Sequence, residues 1–204
     1  RYAGPGSHRY PVGFSGDTVV TWESLDFQPY FTATASNIGY GWWSHDIGGH
    51  MLGIRSDVME ARWYELGTFS PINRLHSTKM SFSGKEPWNY PEPYCSDMEK
   101  ILRFRHALIP YMYTLNYRCH CEHIPVIIPM YYYYPFEEKA YSYKNQYFLG
   151  SEMLVCPVTT KIDEDSQKSG EECFIPAGIW TDIFTGDAVS YTHLRAHETK
   201  ANLV

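Results

Sequence analysis

Three short apolar runs of the sequence are each followed by side chains that can transfer a proton or bind a polar substrate. The runs lie in GFSGD, WWSHDIGGH and FSPINRLH, and their polar ends are Asp17, then His45, Asp46 and His50, then Arg74 and His76. Carboxylates and imidazoles are the usual general acids and bases of enzymes. Because the carboxyl ends of parallel strands meet at one pocket of an α/β barrel, we expect these groups to converge.

Asp17 taken alone has two interpretations. A single Asp after Gly is typical of a turn or of a helix cap, and a helix is predicted directly after it, over residues 22–36. The same residue also ends a predicted strand, which would present its carboxylate to a pocket. One residue can fill both roles, so both expectations stand.

The elements that carry these residues are predicted from apolar spacing and capping signals. We expect a helix over residues 56–68 that is capped by Ser56, and strands that end before Asp17 and Asp46. FSPINRLH predicts a further short strand. A long amphipathic helix should begin at Ser96, and Pro110 should kink it or restart it.

The predicted secondary structure changes after residue 123. Three β-rich runs follow, IPVIIPMYYYYP, QYFLGSEMLVCPV and ECFIPAGIWTDIFTG, separated by turn residues. Strand–helix repeats followed by strands alone indicate an α/β domain joined to a β domain. The boundary should lie near residues 123–130.

Composition restricts the partners. A net charge of −6 argues against nucleic acid, and no apolar run reaches the length that spans a bilayer. The 18 Tyr, 10 Phe and 6 Trp fit either a large-residue core or stacking on sugar rings. Five cysteines, an odd number, do not indicate a disulfide scaffold and favour a reducing compartment, so we expect a cytoplasmic, bacterial protein.

Two stretches invite a metal hypothesis. In HDIGGH the ligands would be His45, Asp46 and His50, but neighbouring strand residues point to opposite faces. In CHCEH, Cys119 and His123 share a helix face while Cys121 points away, and no partner CxxC pair occurs. We expect no metal ion and no cofactor; a metal-dependent hydrolase at HDIGGH is the rival hypothesis.

Four motifs resemble glycoside hydrolase family 31, which contains retaining α-glucosidases with α-xylosidases and α-glucan lyases as relatives. They are RYAGPGSHRYPVGFSGDT, WWSHDIGGH, ARWYELGTFSPINRLH and HALIPYMYTL. They occur in family order and spacing, and the resemblance extends over about residues 1–188.

The resemblance implies a (β/α)8 TIM barrel followed by β-sandwich domains. Residues 1–123 would form the C-terminal half of the catalytic barrel, and residues 124–189 part of the first C-terminal β-sandwich domain. The remaining residues, 190–204, resemble translated adapter read-through at the end of a metagenomic reading frame, so we expect a non-native tail there.

The resemblance also assigns roles to the strand-end residues. Asp17 matches the general acid/base, whereas the family's nucleophilic Asp lies upstream of the matched segment and no residue here aligns with it. The positions implied to bind sugar are Arg1, Phe14, Trp43, Asp46, His50, Arg74 and His76. The family has Phe where this chain has His50.

We therefore expect a retaining two-carboxylate hydrolase of terminal α-linked glucosyl residues, present as a fragment that is inactive alone. Its substrate would be an oligosaccharide or α-glucoside, with no nucleic acid or membrane partner. An α-xylosidase of the same family and a non-catalytic carbohydrate-binding module are the alternatives.

Overall fold

The computed structural model describes residues 6, 9–10, 12–80, 83–163 and 169–191. The strands are β1 (Val12–Phe14), β2 (Val19–Val20), β3 (Trp42–Ser44), β4 (Met51–Gly53), β5 (Ile127–Pro129), β6 (Tyr147–Leu149), β7 (Met153–Val155), β8 (Gly178–Thr181) and β9 (Ala188–Tyr191). The α-helices are α1 (Trp22–Ala35), α2 (Asp57–Thr68), α3 (Tyr94–Ala107), α4 (Ile109–Glu122), α5 (Met130–Tyr133) and α6 (Lys139–Ser142). Single 3₁₀ turns lie at Ser36–Ile38 and Pro87–Asn89. The chain is thus a mixed α/β structure.

Parallel pairing places three successive segments side by side. β1 pairs with β3 in parallel, with Phe14 opposite Ser44. Ser44 in turn bridges Ile72, and Ile47 bridges Leu75 in the same direction. The residues that follow each segment therefore lie at one common edge, which we call the rim. A parallel barrel has such an edge at the carboxyl ends of its strands.

Side-chain caps fix the starts of the two helices that follow β2 and β4. Thr21 caps α1, and its Oγ1 accepts a hydrogen bond from the backbone N–H of Ser24 at 3.2 Å. Ser56 caps α2 in the predicted way, by accepting from the N–H of Met59 at 3.4 Å. The cap of α1 is thus Thr21 and not Asp17.

One apolar core lies beneath this rim. It joins α1, α2 and α3 through Leu25, Ile47, Met59, Ala61, Trp63, Tyr64, Leu66, Tyr90, Met98 and Ile101. Ile47 is fully buried and directly follows Asp46 in the chain. Burial of a large aliphatic side chain stabilises by about 1.5–3 kcal/mol, so the core holds the backbone at the end of β3.

The second half of the described chain is built on antiparallel pairs. β5, β6 and β7 form a three-stranded sheet, and β8 and β9 form a hairpin. Met112 and Leu115 of α4 pack against Tyr147 and Leu149 of β6 in a shared core. No helix in the described residues is long and apolar enough to cross a bilayer.

The long helix expected from residue 96 is two helices. The break falls at Leu108, and Pro110 is among the first two residues of α4. Proline has no N–H for an i→i−4 hydrogen bond but fits the first turn of a helix, so the chain restarts there. The first helix begins at Tyr94 rather than at Ser96, whose hydroxyl bonds to Glu92 at 2.8 Å.

Two expected strands differ from the structure. The expectation of β structure through the tyrosine run is wrong for Met130–Tyr133, which form α5. Met130 is buried with Ile128, Phe148 and Phe174, so tertiary packing outweighs the β propensity of tyrosine. FSPINRLH makes two isolated parallel bridges and no continuous strand.

Candidate active site

Asp46, fully buried at the end of β3, is the centre of a polar cluster at the rim. Arg74 donates a hydrogen bond from Nη2 to Oδ1 of Asp46. His50 Nδ1 lies 3.5 Å from Oδ2 of the same carboxylate. The ring centroids of His50 and His76 are 4.8 Å apart. The structure thus brings together four side chains that the sequence analysis placed after parallel strands.

Phe14 supplies an apolar wall to this cluster. The guanidinium carbon of Arg74 lies 5.3 Å from the centroid of the Phe14 ring, within cation–π range. Arg74 is therefore held by a carboxylate on one side and an aromatic face on the other. Its side chain is still 44 % exposed, so part of the guanidinium remains accessible.

Asp17 lies on the loop between β1 and β2 and is exposed. Gly16 before it has a φ of 91°, a conformation that favours glycine and turns the chain at the end of β1. Thr18 C=O accepts hydrogen bonds from the N–H groups of His50 and Met51, at 2.8 and 3.2 Å. The loop of Asp17 is thereby fastened to the loop of His50.

Asp46 and His50 share a loop whose backbone is hydrogen-bonded to a buried ion pair, Lys85 and Glu60. Lys85 Nζ donates to the carbonyl of Gly48 at 2.8 Å and to Glu60 Oε2 at 3.2 Å. Burial raises the pKa of the Glu60 carboxyl, and the Lys85 charge opposes that effect. A buried lysine that bonds a loop carbonyl fixes the loop more firmly than solvent-exposed contacts can.

The segment that carries Arg74 and His76 is held by Arg105 of α3. Its guanidinium donates to the carbonyls of Thr68 at 2.6 Å and Pro71 at 2.8 Å, and also to that of Ser70. Burial lowers the pKa of Arg105. One side chain thus satisfies several carbonyls at the end of α2, where the helix leaves them unpaired.

His45 points away from the cluster, so the expected convergence is wrong for this residue. Its orientation opposite to that of Asp46 agrees with the argument against a metal site in HDIGGH. It is fully buried against α1, where Nδ1 lies 3.0 Å from Gln28 Oε1 and Nε2 lies 2.7 Å from Thr32 Oγ1. Burial lowers the pKa of His45 to about 3. His45 is therefore separated from Asp46 and His50, and the three do not form the metal site of the rival hypothesis.

Trp43 is not brought into the pocket. Its ring centroid lies 4.9 Å from that of Phe31 and 5.2 Å from that of Tyr40. The indole packs with these two rings on the side of β3 that faces α1. Arg1, the remaining predicted sugar-binding residue, lies outside the described residues.

The sequence does not predict the positioning roles of Lys85, Glu60 and Arg105. Charged residues on helices and loops are usually solvated, so their types alone gave no signal. The available hint was the apolar surroundings of Glu60, which follows Val58 and Met59 and precedes Trp63. A carboxylate on the buried face of a predicted helix calls for a partner.

A metal ion has one candidate site within the described ranges. Asp46, His50 and His76 each place a ligand atom within 4.8 Å of the other two. The thiols and imidazoles of CHCEH form no such group in the part of the chain that the structure describes. All five cysteines are free thiols.

Comparison with known proteins places this rim and its sheet in a family. Residues 1–115 match the model of the glycosyl hydrolases family 31 TIM-barrel domain, and residues 123–203 match that of the glycosyl hydrolase family 31 C-terminal domain. The chain therefore belongs to glycosyl hydrolase family 31.

Individual relatives agree with this assignment. Mouse (Mus musculus) neutral alpha-glucosidase C is 32% identical over 182 residues, which cover 88% of this chain and 20% of the relative. The cycloalternan-degrading enzyme from Trueperella pyogenes in complex with isomaltose has a TM-score of 0.81 at 25% identity, over 91% of this chain and 27% of the enzyme. A family 31 alpha-xylosidase from a soil metagenome, complexed with xylose, has a TM-score of 0.76 at 26% identity, over 91% of this chain and 30% of the xylosidase. The chain spans about a fifth of the length of such curated relatives.

Proposed function

We propose that this chain contributes part of the active site of a retaining glycosidase that hydrolyses terminal α-linked glucosyl residues, with Asp17 as general acid/base. The observation that supports this most is the convergence of Asp46, His50, Arg74 and His76 at the rim of a parallel sheet. A cluster of one buried carboxylate, one guanidinium and two imidazoles beside an aromatic ring suits a polyhydroxylated ring with an apolar face.

Retaining hydrolysis needs two carboxyl groups roughly 5–5.5 Å apart, a nucleophile and an acid/base. Asp17 protonates the glycosidic oxygen as the bond breaks, and then accepts a proton from the water that attacks the glycosyl–enzyme intermediate. The nucleophilic carboxylate comes from a segment outside these residues. On this proposal the chain alone does not turn over substrate.

The remaining residues hold the ring. The Asp46 carboxylate accepts hydrogen bonds from sugar hydroxyls, and Arg74 and His76 donate to hydroxyl oxygens. Phe14 contacts the apolar face of the ring and excludes water. His50 borders the same space, Arg1 is proposed as a further donor, and Trp43 keeps β3 in place from behind.

The relatives decide between substrate classes only in part. The identity to neutral alpha-glucosidase C and the fold shared with an isomaltose complex favour an α-glucoside. The fold shared with an alpha-xylosidase keeps an α-xyloside as the second candidate. The two differ in the hydroxymethyl group of the ring, so binding of isomaltose and of xylose separates them.

The domain assignment is part of the proposal. Residues 1–123 complete a catalytic barrel whose other half lies elsewhere, and residues 124–189 begin the C-terminal β domain. The five free thiols fit a reducing, cytoplasmic location.

The test of Asp17 joins residues 1–188 to the upstream part of mouse neutral alpha-glucosidase C. Asp17→Ala should abolish isomaltose hydrolysis but retain the first step on 2,4-dinitrophenyl α-glucoside, whose leaving group needs little protonation. Azide should restore turnover and yield α-glucosyl azide, because it attacks without a general base. Glu23→Gln, which changes an acidic residue in the first turn of α1, is the control and should keep full activity.

Two results would contradict the acid/base role of Asp17. One is an Asp17→Ala enzyme that still hydrolyses isomaltose at the parent rate. The other is an equal loss on both substrates without azide rescue, which would indicate a structural defect.

A further inference from the structure

We propose that Asp46, His50 and His76 form a binding site for a divalent first-row transition-metal ion of the Zn²⁺ class. One carboxylate oxygen and two imidazole nitrogens are the donors that such ions take in proteins, with further positions filled by water. The site lies at the rim described above, and its existence does not depend on the proposed glycosidase activity.

The donor atoms are close and poorly satisfied by the protein itself. One ligand atom of each residue lies within 4.8 Å of the other two. Asp46 Oδ2 and His50 Nδ1 are buried, lie 3.5 Å apart, and have no hydrogen-bond partner in the part of the chain described. Buried polar atoms without partners cost free energy, and an ion between them would remove that cost.

The two carboxylate oxygens of Asp46 face different partners. Arg74 occupies Oδ1, so the carboxylate keeps its orientation while Oδ2 faces His50. The loop behind is held by Lys85 through the Gly48 carbonyl. The carboxylate and the His50 imidazole are thereby preorganised, and His76 packs beside them, with its ring centroid 4.8 Å from that of His50.

The charge of Arg74 decides which ions fit. Its guanidinium already offsets the Asp46 carboxylate, so a dication gains little from simple Coulomb attraction here. Mg²⁺ and Ca²⁺, which rely on several oxygen ligands, should therefore not bind. Zn²⁺, Co²⁺, Ni²⁺ and Cu²⁺ gain from bonds to imidazole nitrogen and can bind while Arg74 stays on Oδ1.

An ion at this position would have a consequence for sugar binding, which rests on the proposed function. It would occupy the atoms that Asp46 and His76 offer to sugar hydroxyls. Ion and glycosyl ring would then exclude each other.

The test is a titration of the full chain with Co²⁺ under reducing conditions, followed by visible and near-ultraviolet absorption. Co²⁺ bound by nitrogen and oxygen shows d–d bands, whereas a thiolate ligand adds a charge-transfer band in the near ultraviolet. We expect saturation at one equivalent, d–d bands without the thiolate band, displacement by Zn²⁺, and no displacement by excess Mg²⁺.

Variants locate the ion. His50→Phe and His76→Phe should each lose the saturable signal, whereas His106→Phe, the same change on an exposed position of α3, should retain it. Circular dichroism melting shows whether each variant folds. Should His50→Phe fail to fold, Asp46→Asn decides, because it keeps the shape of the side chain and removes the ligand charge.

Three results would overturn the proposal: no saturable Co²⁺ signal in the parent chain, a thiolate band that assigns the ion to cysteines such as those of CHCEH, or an unchanged signal in a folded His50→Phe or Asp46→Asn variant.

Discussion

At the scale of single residues, the consecutive pair His45 and Asp46 has two opposite tasks. Asp46 faces the rim, where Arg74 and His50 surround its carboxylate. His45 faces α1, where Gln28 and Thr32 bond to its two ring nitrogens. The two neighbours follow directly after β3 and point to opposite sides, so one supplies the site while the other bonds the segment to α1.

The buried His45 should make stability fall with acidity. Its pKa is lowered to about 3 in the folded chain, from 6.5, because burial opposes the charged ring. Between these values the unfolded chain binds more protons, so the free energy of unfolding decreases as the pH falls. At 1.36 kcal/mol per pH unit, the 1.5 units between pH 6.5 and pH 5 amount to about 2 kcal/mol.

Urea denaturation of the parent chain and of His45→Gln at pH 7 and pH 5 measures this effect. The parent should lose about 2 kcal/mol more than the variant, since glutamine does not titrate. His106→Gln, the same change at an exposed site, should behave as the parent. An equal loss in the parent and His45→Gln would show that His45 titrates normally.

At the scale of elements, the loop from β3 to β4 depends on a close approach to α2. Gly48 has a φ of +87°, and a Cβ there would lie 2.2 Å from a carboxylate oxygen of Glu60. Lys85 bonds both that carboxylate and the Gly48 carbonyl. A larger residue at position 48 would have to displace the Glu60 carboxylate, and with it the contacts that position the loop of Asp46 and His50.

Gly48→Ala should destabilise the chain more than the same change at Gly186. Gly186 also has a positive φ, of +78°, but a Cβ there meets nothing within 4 Å. Backbone strain alone costs roughly 1–2 kcal/mol, which is the loss expected at Gly186. Gly48→Ala should add the displacement of the buried Glu60–Lys85 pair to this cost.

Thermal and urea unfolding of Gly48→Ala and Gly186→Ala separate the cost of backbone strain from the cost of the contact with Glu60. Gly170→Ala, which lacks both a positive φ and near neighbours, is the neutral reference. Equal losses at Gly48 and Gly186 would mean that Glu60 moves aside freely, and the loop would then not depend on it.

At the scale of the whole molecule, β1 lies at an edge. Within the described ranges it pairs with β3 alone, and Val12 is 62% exposed. An exposed apolar edge strand is a template for pairing with another chain. This fits the proposal that the other part of a barrel covers β1, and it predicts that the chain self-associates through this strand.

Val12→Lys should reduce self-association, because a lysine on an edge strand opposes edge-to-edge pairing. Ile179→Lys is the matched control, since Ile179 is 79% exposed on β8, far along the chain from this edge. Light scattering over a concentration series measures the outcome. Equal effects of both substitutions would point to general solubility, and no effect of Val12→Lys would show that β1 does not mediate association.

The convergence of Asp46, His50, Arg74 and His76 could be predicted from sequence because they follow apolar runs and parallel strands align their ends. The cap at Ser56 and the restart at Pro110 also follow from local chemistry. The orientation of Trp43 could not be predicted, since adjacent tryptophans in a strand give no indication of which face meets the pocket. Lys85 and Glu60 meet through tertiary packing, which local patterns do not encode.

The most direct test of the central claim is a titration of the ¹⁵N-labelled chain with isomaltose, followed by amide chemical shifts. The account predicts shifts confined to the neighbourhood of Phe14, Asp46, His50, Arg74 and His76. These shifts should be lost in Arg74→Gln and kept in Arg103→Gln, a matched change on a side chain that is 81% exposed. Shifts elsewhere, shifts that persist in Arg74→Gln, or none at all would contradict a glycosyl-binding site at the rim.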